Sequence, residues 1–267
     1  TLFKKIFGRK TLVNISDLWP LSAVELGAMR EGGKIYDIFA WIERYIYRNA
    51  DGIFGQSEEI IRHVNQFPST KNKFVYRNLQ QYAVAAQPKR KHTPFRIVYA
   101  GLLGVAQDIY SIIENIPFQS IGAEFHLYGG GNQTEKIKEY INKHPGCFVY
   151  YHGYVKKEQI AEELSRYDAS IVPLTVAIKG AVPSKIYDLI PIGIPILFCG
   201  GGEGAEIVSK YYFGMVSKPH DFKQLHNNII ELINLLTKNT AQYRRTAWIW
   251  QKMNSILTNR YIAVTIL

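Results

Sequence analysis

Apolar and polar positions follow two regimes along this chain. From Phe95 onward the pattern is regular. Short apolar runs at 96–100, 124–128, 147–151, 169–173, 195–199 and 213–217 are bounded by glycine, proline and polar clusters and read as strands. Segments at 107–116, 133–143, 156–167, 183–190, 203–211 and 220–237 carry apolar residues at helical spacing. Strict alternation of strand and helix predicts a doubly wound parallel sheet, a Rossmann-like α/β domain over 95–240. Pro191 lacks an amide hydrogen and disfavours helix at Ile190, so the helix at 183–190 is expected to end early.

Ahead of that domain the pattern is sparser. Strands are predicted at 11–16, 52–56 and 74–78, with helices at 22–31 and 36–50. A further helix is capped by Ser57 and opens on Glu58 and Glu59. So few strands do not make a self-sufficient doubly wound sheet. Residues 1–80 therefore read as the latter part of an amino-terminal α/β domain whose beginning lies outside this sequence. Residues 81–94, ending in Pro88-Lys89-Arg90-Lys91-His92-Thr93-Pro94, have linker composition. The segment 241–267 mixes Trp248, Trp250, Met253, Ile256 and Leu257 with Arg244, Arg245 and Lys252, and reads as a helical segment that packs back on the first domain or lies at a membrane interface.

Composition narrows the class. With 267 residues, 47% of them hydrophobic, the chain can bury one or two cores. No apolar run reaches the roughly 18–20 residues of a membrane span, and no secretory signal opens the chain. Cys147 and Cys199 each fall in an apolar run, which suits free thiols in a reducing cytoplasm. The 7 histidines show no ligand spacing, so no metal site is expected.

The net charge of +10 is uneven: residues 1–95 hold 15 Lys and Arg against 8 Asp and Glu. No nucleic-acid recognition motif accompanies that bias. An anionic membrane surface is the better partner, and residues 1–10 have the mixed basic and apolar character to rest on one. An ordinary solvated basic face and the tail of a helix are the competing readings. The expected location is the cytoplasm, or the inner face of its membrane.

The densest candidate chemistry lies between Pro183 and Glu206. Pro183 and Ser184 mark a helix start, whose amides and dipole attract anions. Lys185 adds a mobile positive charge, and Asp188, one turn on, an acceptor for sugar hydroxyls. After an apolar strand, Gly200-Gly201-Gly202-Glu203-Gly204 lets a backbone approach a ligand closely before another helix begins. Two helix starts around one strand suit a ligand bearing phosphate and sugar; an α/β repeat with a flexible turn suits the same residues. Other strand ends offer loops at Gly101–Gly104, Gly129–Gly131, His152–Tyr154 and 174–180, where such sheets bind ligands.

These residues resemble the nucleotide-binding domain of retaining glycosyltransferases with the GT-B fold. The similarity is to the family 4-like bacterial branch that builds surface polysaccharides, including N-acetylfucosaminyltransferases. The resemblance rests on Tyr99-Ala100-Gly101 with Gly104 and Gln107, on Gly129-Gly130-Gly131, on His152-Gly153-Tyr154-Val155, and above all on Pro183–Asp188 through Ile196. It implies a GT-B protein made of the Rossmann-like domain and part of a second α/β domain. It further implies transfer of a sugar from a nucleoside diphosphate, with uridine the expected base, to a glycan or polyprenyl-linked acceptor with retention. Donor contacts would come from Gly101, Gly104, Gln107, Gly129, Tyr154, Val155, Ser184, Gly202, Glu203 and Gly204. Lys185 would neutralise the diphosphate and Asp188 would hold the ribose. Asp17 and Trp19 would line the acceptor side.

No cofactor and no dedicated protein base are implied, because the leaving phosphate helps deprotonate the acceptor. The sequence departs from the family pattern in three places. Gly180 stands where a carboxylate is usual, Leu102 and Gln107 where an arginine and a lysine are common, and Ser16 where a histidine occurs. A catalytically degenerate sugar-nucleotide sensor and a nucleotide-sugar 2-epimerase are the alternatives, the latter without a convincing acid/base set.

Overall fold

In the computed structural model, residues 7–77, 92–176 and 178–237 are described. The readings for 241–267, for residues 1–6 and for most of the linker lie outside these residues. The chain forms two units. One takes the described residues of 1–79, 176–184 and 202–204, and the other takes the remainder.

The first unit holds β1 (Leu12–Ile15), α1 (Leu21–Glu25), α2 (Lys34–Asn49), β2 (Gly52–Gly55), α3 (Glu58–Val64) and β3 (Lys73–Val75). Its strands form a parallel sheet in the order β1-β2-β3. Ile15, Leu18, Tyr47, Ile53, Ile60 and Val64 form the core. Helix α1 is much shorter than the 22–31 pattern suggests. Gly27 takes φ +71°, and the Ala28 amide bonds back to the Ala23 carbonyl at 2.9 Å, a left-handed glycine stop that ends a helix. Ser57 caps α3 as expected, its hydroxyl accepting from the Ile60 amide at 3.1 Å.

The remaining elements are β4 (Phe95–Ala100), α4 (Ile109–Asn115), β5 (Ala123–Tyr128), α5 (Thr134–Lys143), β6 (Val149–Gly153), α6 (Ile160–Leu164), β7 (Ala169–Pro173), α7 (Ser184–Ile192), β8 (Ile196–Cys199), α8 (Gly202–Lys210), β9 (Gly214–Ser217) and α9 (Phe222–Thr237). All six strands are parallel, in the order β6-β5-β4-β7-β8-β9. That is the doubly wound order, with its reversal between β4 and β7. Every residue of β7 and β8 is buried, as a parallel sheet covered on both faces requires. Ile97, Tyr99, Phe125, Leu127, Ile171 and Leu197 share one core with Ile109, Ile113, Leu225 and Ile229.

Two local expectations are corrected. Helix α7 continues through Pro191 to Ile192. Burial of Leu189, Ile190 and Ile192 holds the last turn, and the Gly193 amide closes it on the Leu189 and Ile190 carbonyls at 3.0 and 3.1 Å. Strand β6 starts at Val149 rather than Cys147, because Gly146 and Phe148 both take positive φ and bend the chain first.

Candidate functional site

The switch between β4 and β7 opens a crevice at the carboxyl edge of the second unit. Strand β4 ends at Ala100, and the chain turns at Gly101 with φ +152°. The Tyr99 hydroxyl, fully buried, donates to the Leu102 carbonyl at 2.6 Å and braces this turn. The Gly101 amide bonds to the Tyr128 carbonyl at 2.9 Å and the Leu103 amide to the Gly130 carbonyl at 3.0 Å, so the first and second strand-end loops are laced together. The packing allows no side chains there. A β-carbon on Gly129 would collide with the Gly101 carbonyl oxygen, and one on Gly131 with that of Leu103. Glycine at both positions follows from this close approach.

A third loop joins from β6. The Gly129 amide donates to the Gly153 carbonyl at 2.7 Å, and the Tyr151 hydroxyl to the Gly129 carbonyl at 2.8 Å. Tyr154 follows, 83% exposed, its hydroxyl lying against Gly130. Val155 is the half-buried residue after it. Gly101, Gly129 and Tyr154, predicted from separate stretches, thus meet at one edge.

Helix α7 brings Lys185 to the same turn. A β-carbon on Gly101 would sit 2.7 Å from Lys185 Nζ, so the lysine stem crosses the bare glycine, with its ammonium 5.5 Å from the Tyr99 ring centre. Burial draws the Lys185 pKa down, and Asp188, a turn later on the helix, opposes that shift. Lys185 and Asp188 line a small cleft with Ala100, Ser170, Ile160, Leu164, Leu189 and Ile192. A partly desolvated cation beside bare backbone and a carboxylate suits a polyanionic, hydroxyl-bearing ligand.

Gln107 lines a second, small pocket with Asp108, Thr175, Ser217 and His220. Its amide bonds to the Gly104 carbonyl at 3.2 Å, while its side-chain oxygen is buried without a hydrogen-bond partner. Asp108 takes φ +43° and accepts from Gln133 Nε2 at 2.9 Å. The sequence reading missed both the Asp108–Gln133 brace and the Tyr99 brace. A left-handed aspartate and a buried tyrosine carry no spacing signal.

Asp17, Trp19, Ser184, Gly202, Glu203 and Gly204 belong to the first unit. Ser184 opens α7, and Trp19 is exposed with its ring edge-on to Phe39 at 5.6 Å. Glu203, only 4% exposed, is committed within that unit. Its oxygens accept from the Glu58 and Glu59 amides at 3.0 and 2.8 Å and pair with Arg77 at 2.8 Å. The start of α3 is therefore closed by a carboxylate from far along the chain, and a donor hydroxyl reaching Glu203 would have to displace one of these partners. Gly180, at the position of the absent family carboxylate, bonds through its amide to Glu59 at 2.7 Å and through its carbonyl to Ser57 at 2.7 Å.

Among the described residues no three His, Cys, Asp or Glu side chains cluster so as to hold a metal ion, and no helix is long and apolar enough to cross a membrane.

Comparison with known proteins agrees with this architecture. Among solved structures, HepE from Anabaena in complex with UDP superposes with a TM-score of 0.71 at 14% identity, over 99% of this chain and 74% of that one. WaaG, a glycosyltransferase involved in lipopolysaccharide biosynthesis, gives 0.66 at 12% identity, over 94% and 75%. A mutant of S. aureus TarM, in complex with fondaparinux, α-GlcNAc-glycerol and UDP, gives 0.58 at 19% identity, over 87% of this chain and 46% of its own. This chain thus spans about half the length of TarM. At these identities the likeness establishes the GT-B fold. No curated protein sequence matches the chain. The sequence profile described as "Glycosyl transferases group 1" matches residues 94–235, which cover β4 to α9 and every loop of the crevice. The chain belongs to the group 1 glycosyl transferases.

Proposed function

We propose that this chain binds a nucleoside diphosphate sugar in the β4–β7 crevice and serves a glycosyltransferase that moves the sugar to a glycan acceptor. The observation that carries the proposal is the Lys185 stem laid across Gly101, beside the Gly101–Gly129 backbone contact. It sets a cation over bare peptide groups, at the edge where doubly wound sheets take nucleotides.

In this reading the Lys185 ammonium meets the diphosphate and offsets the negative charge that grows on it as the sugar–oxygen bond breaks. Asp188 accepts from the ribose hydroxyls. The backbone at Tyr154 and Val155 meets the base, and Gly104 and Gln107 border the phosphates. Uridine is the proposed base; HepE, TarM and the pneumococcal O-GlcNAc transferase GtfA were solved with UDP. The sugar leaves with retention, and the departing phosphate takes the proton of the incoming hydroxyl, so no protein base and no metal are needed. WaaG and the lipopolysaccharide outer core galactosyltransferase WaaB share the fold, which supports a role in bacterial surface glycan synthesis and a hexosyl donor.

Calorimetric titration with UDP and GDP tests the donor site. UDP is expected to bind the wild type, and Lys185→Ala and Asp188→Ala are expected to weaken it. No binding of either nucleotide by the wild type sinks the assignment. A second reading, a degenerate sugar-nucleotide sensor, draws on exposed Leu102 and uncharged Gln107 in the diphosphate loop. It is favoured if UDP binds and the intact protein transfers no sugar.

A further inference from the structure

Strand β6 changes register on its way into the Tyr154 loop. Leu127 on β5 pairs with Tyr151, but Tyr128 pairs with Gly153, which leaves His152 as the extra residue of a β-bulge. Such bulges are rare between parallel strands, and they re-aim the side chain they add. Here that side chain turns back to β5, with His152 Nε2 2.9 Å from His126 Nδ1. The bulge also moves the backbone. Gly153, at φ +75°, accepts the Gly129 amide on its carbonyl at 2.7 Å, and Gly129 is the residue packed against the Gly101 carbonyl. The register at His152 therefore sets how the second and third strand-end loops meet.

His152 is exposed, so burial alone does not hold it. Its neighbours do. His126 Nε2 lies 3.2 Å from Glu124 Oε2, which Arg96 of β4 also pairs at 3.1 Å. A hydrogen given to that carboxylate makes His126 Nδ1 the acceptor and His152 Nε2 the donor. On the other side the His152 ring stacks on Tyr128 at 4.7 Å. Tyr128 donates its hydroxyl hydrogen to Glu163 of α6 at 2.7 Å and meets the Tyr167 hydroxyl at 2.8 Å, while Arg166 pairs with Glu163 at 2.8 Å. Tyr150 of β6 stacks on His126 at 5.0 Å. The pair is thus gripped by charged and titratable groups of β4, β5, β6 and α6, and it grips the bulge.

We propose that His126 and His152 are positioning residues for the donor nucleotide. Their bond locks the β6 bulge, so that Gly153 holds Gly129 and the backbone at Tyr154 and Val155 is set for the base. This role rests on the donor site proposed above, and neither ring touches the ligand. The bond needs one of the two facing nitrogens to lack a hydrogen. When both rings are charged, two N–H groups confront each other, the bond breaks and the loop loosens. Burial resists that charge on both rings, against Glu124 at His126 and Glu163 at His152. Nucleotide affinity is therefore full while the bond stands and falls as pH drops below about 6.5.

The test is calorimetric titration of the whole chain with UDP between about pH 8 and pH 5, with melting curves to show that each variant stays folded. His152→Gln gives His126 a partner that does not titrate. The ionisation of UDP itself is common to both proteins and cancels in their comparison. From about pH 8 to 5 the wild type is expected to lose roughly three- to tenfold more UDP affinity than His152→Gln, the worth of one hydrogen bond. His126→Ala, a strand away from Tyr154, is expected to bind roughly three- to tenfold more weakly than the wild type at about pH 8. His152→Ala should match it, and the double variant should lose no more than either. The proposal is overturned if the wild type and His152→Gln decline in parallel, or if His126→Ala binds UDP as tightly as the wild type. No binding of UDP or GDP by the wild type at about pH 8 instead sinks the donor site, and this role with it.

Discussion

The side chain of Lys185 crosses the α-carbon of Gly101 so closely that a β-carbon there would stand 2.7 Å from Nζ and nearer still to Cε. Two constraints meet at one glycine, since its φ of +152° is also a conformation that residues with a β-carbon rarely adopt. Gly101→Ala is expected to cost about 1–3 kcal/mol of stability through backbone strain and to push Lys185 off the crevice. Thermal melting reports the first effect and UDP calorimetry the second. A variant that melts low yet binds UDP as tightly as the wild type would show that the lysine's path over Gly101 does not set the site.

Removing the Lys185 charge separates binding from stability. Burial opposes the ammonium, so Lys185→Met, which keeps most of the stem over Gly101, is expected to melt no lower than the wild type. UDP affinity is expected to fall about ten- to a hundredfold, the worth of a hydrogen bond to a charged group. The sign of the pH dependence follows. Only protonated lysine attracts diphosphate, and its pKa in the free protein lies below the ordinary 10.5. UDP affinity should hold at neutral pH and decline as alkaline pH is approached, earlier than an ordinary lysine would allow. Lys185→Met should show no such decline.

How much of this was legible in the sequence depends on the range over which the cause acts. The strand at Ala169–Pro173 follows from a local apolar run between polar turns, and the Ser57 cap from two neighbouring acids. The glycine loops were found as strand ends, because bare backbone at such a place has few other uses. What stayed hidden depends on partners distant in the chain. Glu203 looked like a free acid at a helix start until Arg77 and the α3 amides were found on it. The shortened α1 hinged on Gly27 adopting positive φ, and the continuation of α7 past Ile190 on burial that outweighs the penalty at Pro191.

The pairing of Glu203 with Arg77 yields a discriminating prediction. If the carboxylate is a structural anchor, Glu203→Ala takes the acceptor from two helix-start amides and leaves Arg77 with Glu58 at 3.6 Å in place of its 2.8 Å partner, at a cost of about 3 kcal/mol. Arg77→Met should be costly too, and the two losses should fall short of adding in the double variant because they remove one network. Urea unfolding of the three variants measures this. If Glu203→Ala keeps wild-type stability and loses only UDP affinity, the residue serves the donor after all.

Strands β5 and β6, the latter leading into the Tyr154 loop, carry a proton-sensitive pair between them. His126 Nδ1 and His152 Nε2 lie 2.9 Å apart with their rings stacked, so one hydrogen is shared and both rings cannot be charged without breaking the bond. Burial holds both pKa values below the ordinary 6.5; Glu124 opposes the shift at His126 and Glu163 at His152, while His152 and Arg96 add to it at His126. Stacked Tyr150 and Tyr128, with Tyr167 tilted against His126, complete the surroundings. The unfolded chain takes up protons near pH 6.5 while the folded pair still resists them, so stability is lost as pH falls from about 6.5 toward the depressed folded values. Melting temperatures between about pH 5 and 8 should show that decline. His152→Gln keeps a hydrogen-bonding partner for His126 without a second titration, and should flatten it. A wild-type profile no steeper than the variant's would show that the pair takes up protons without strain.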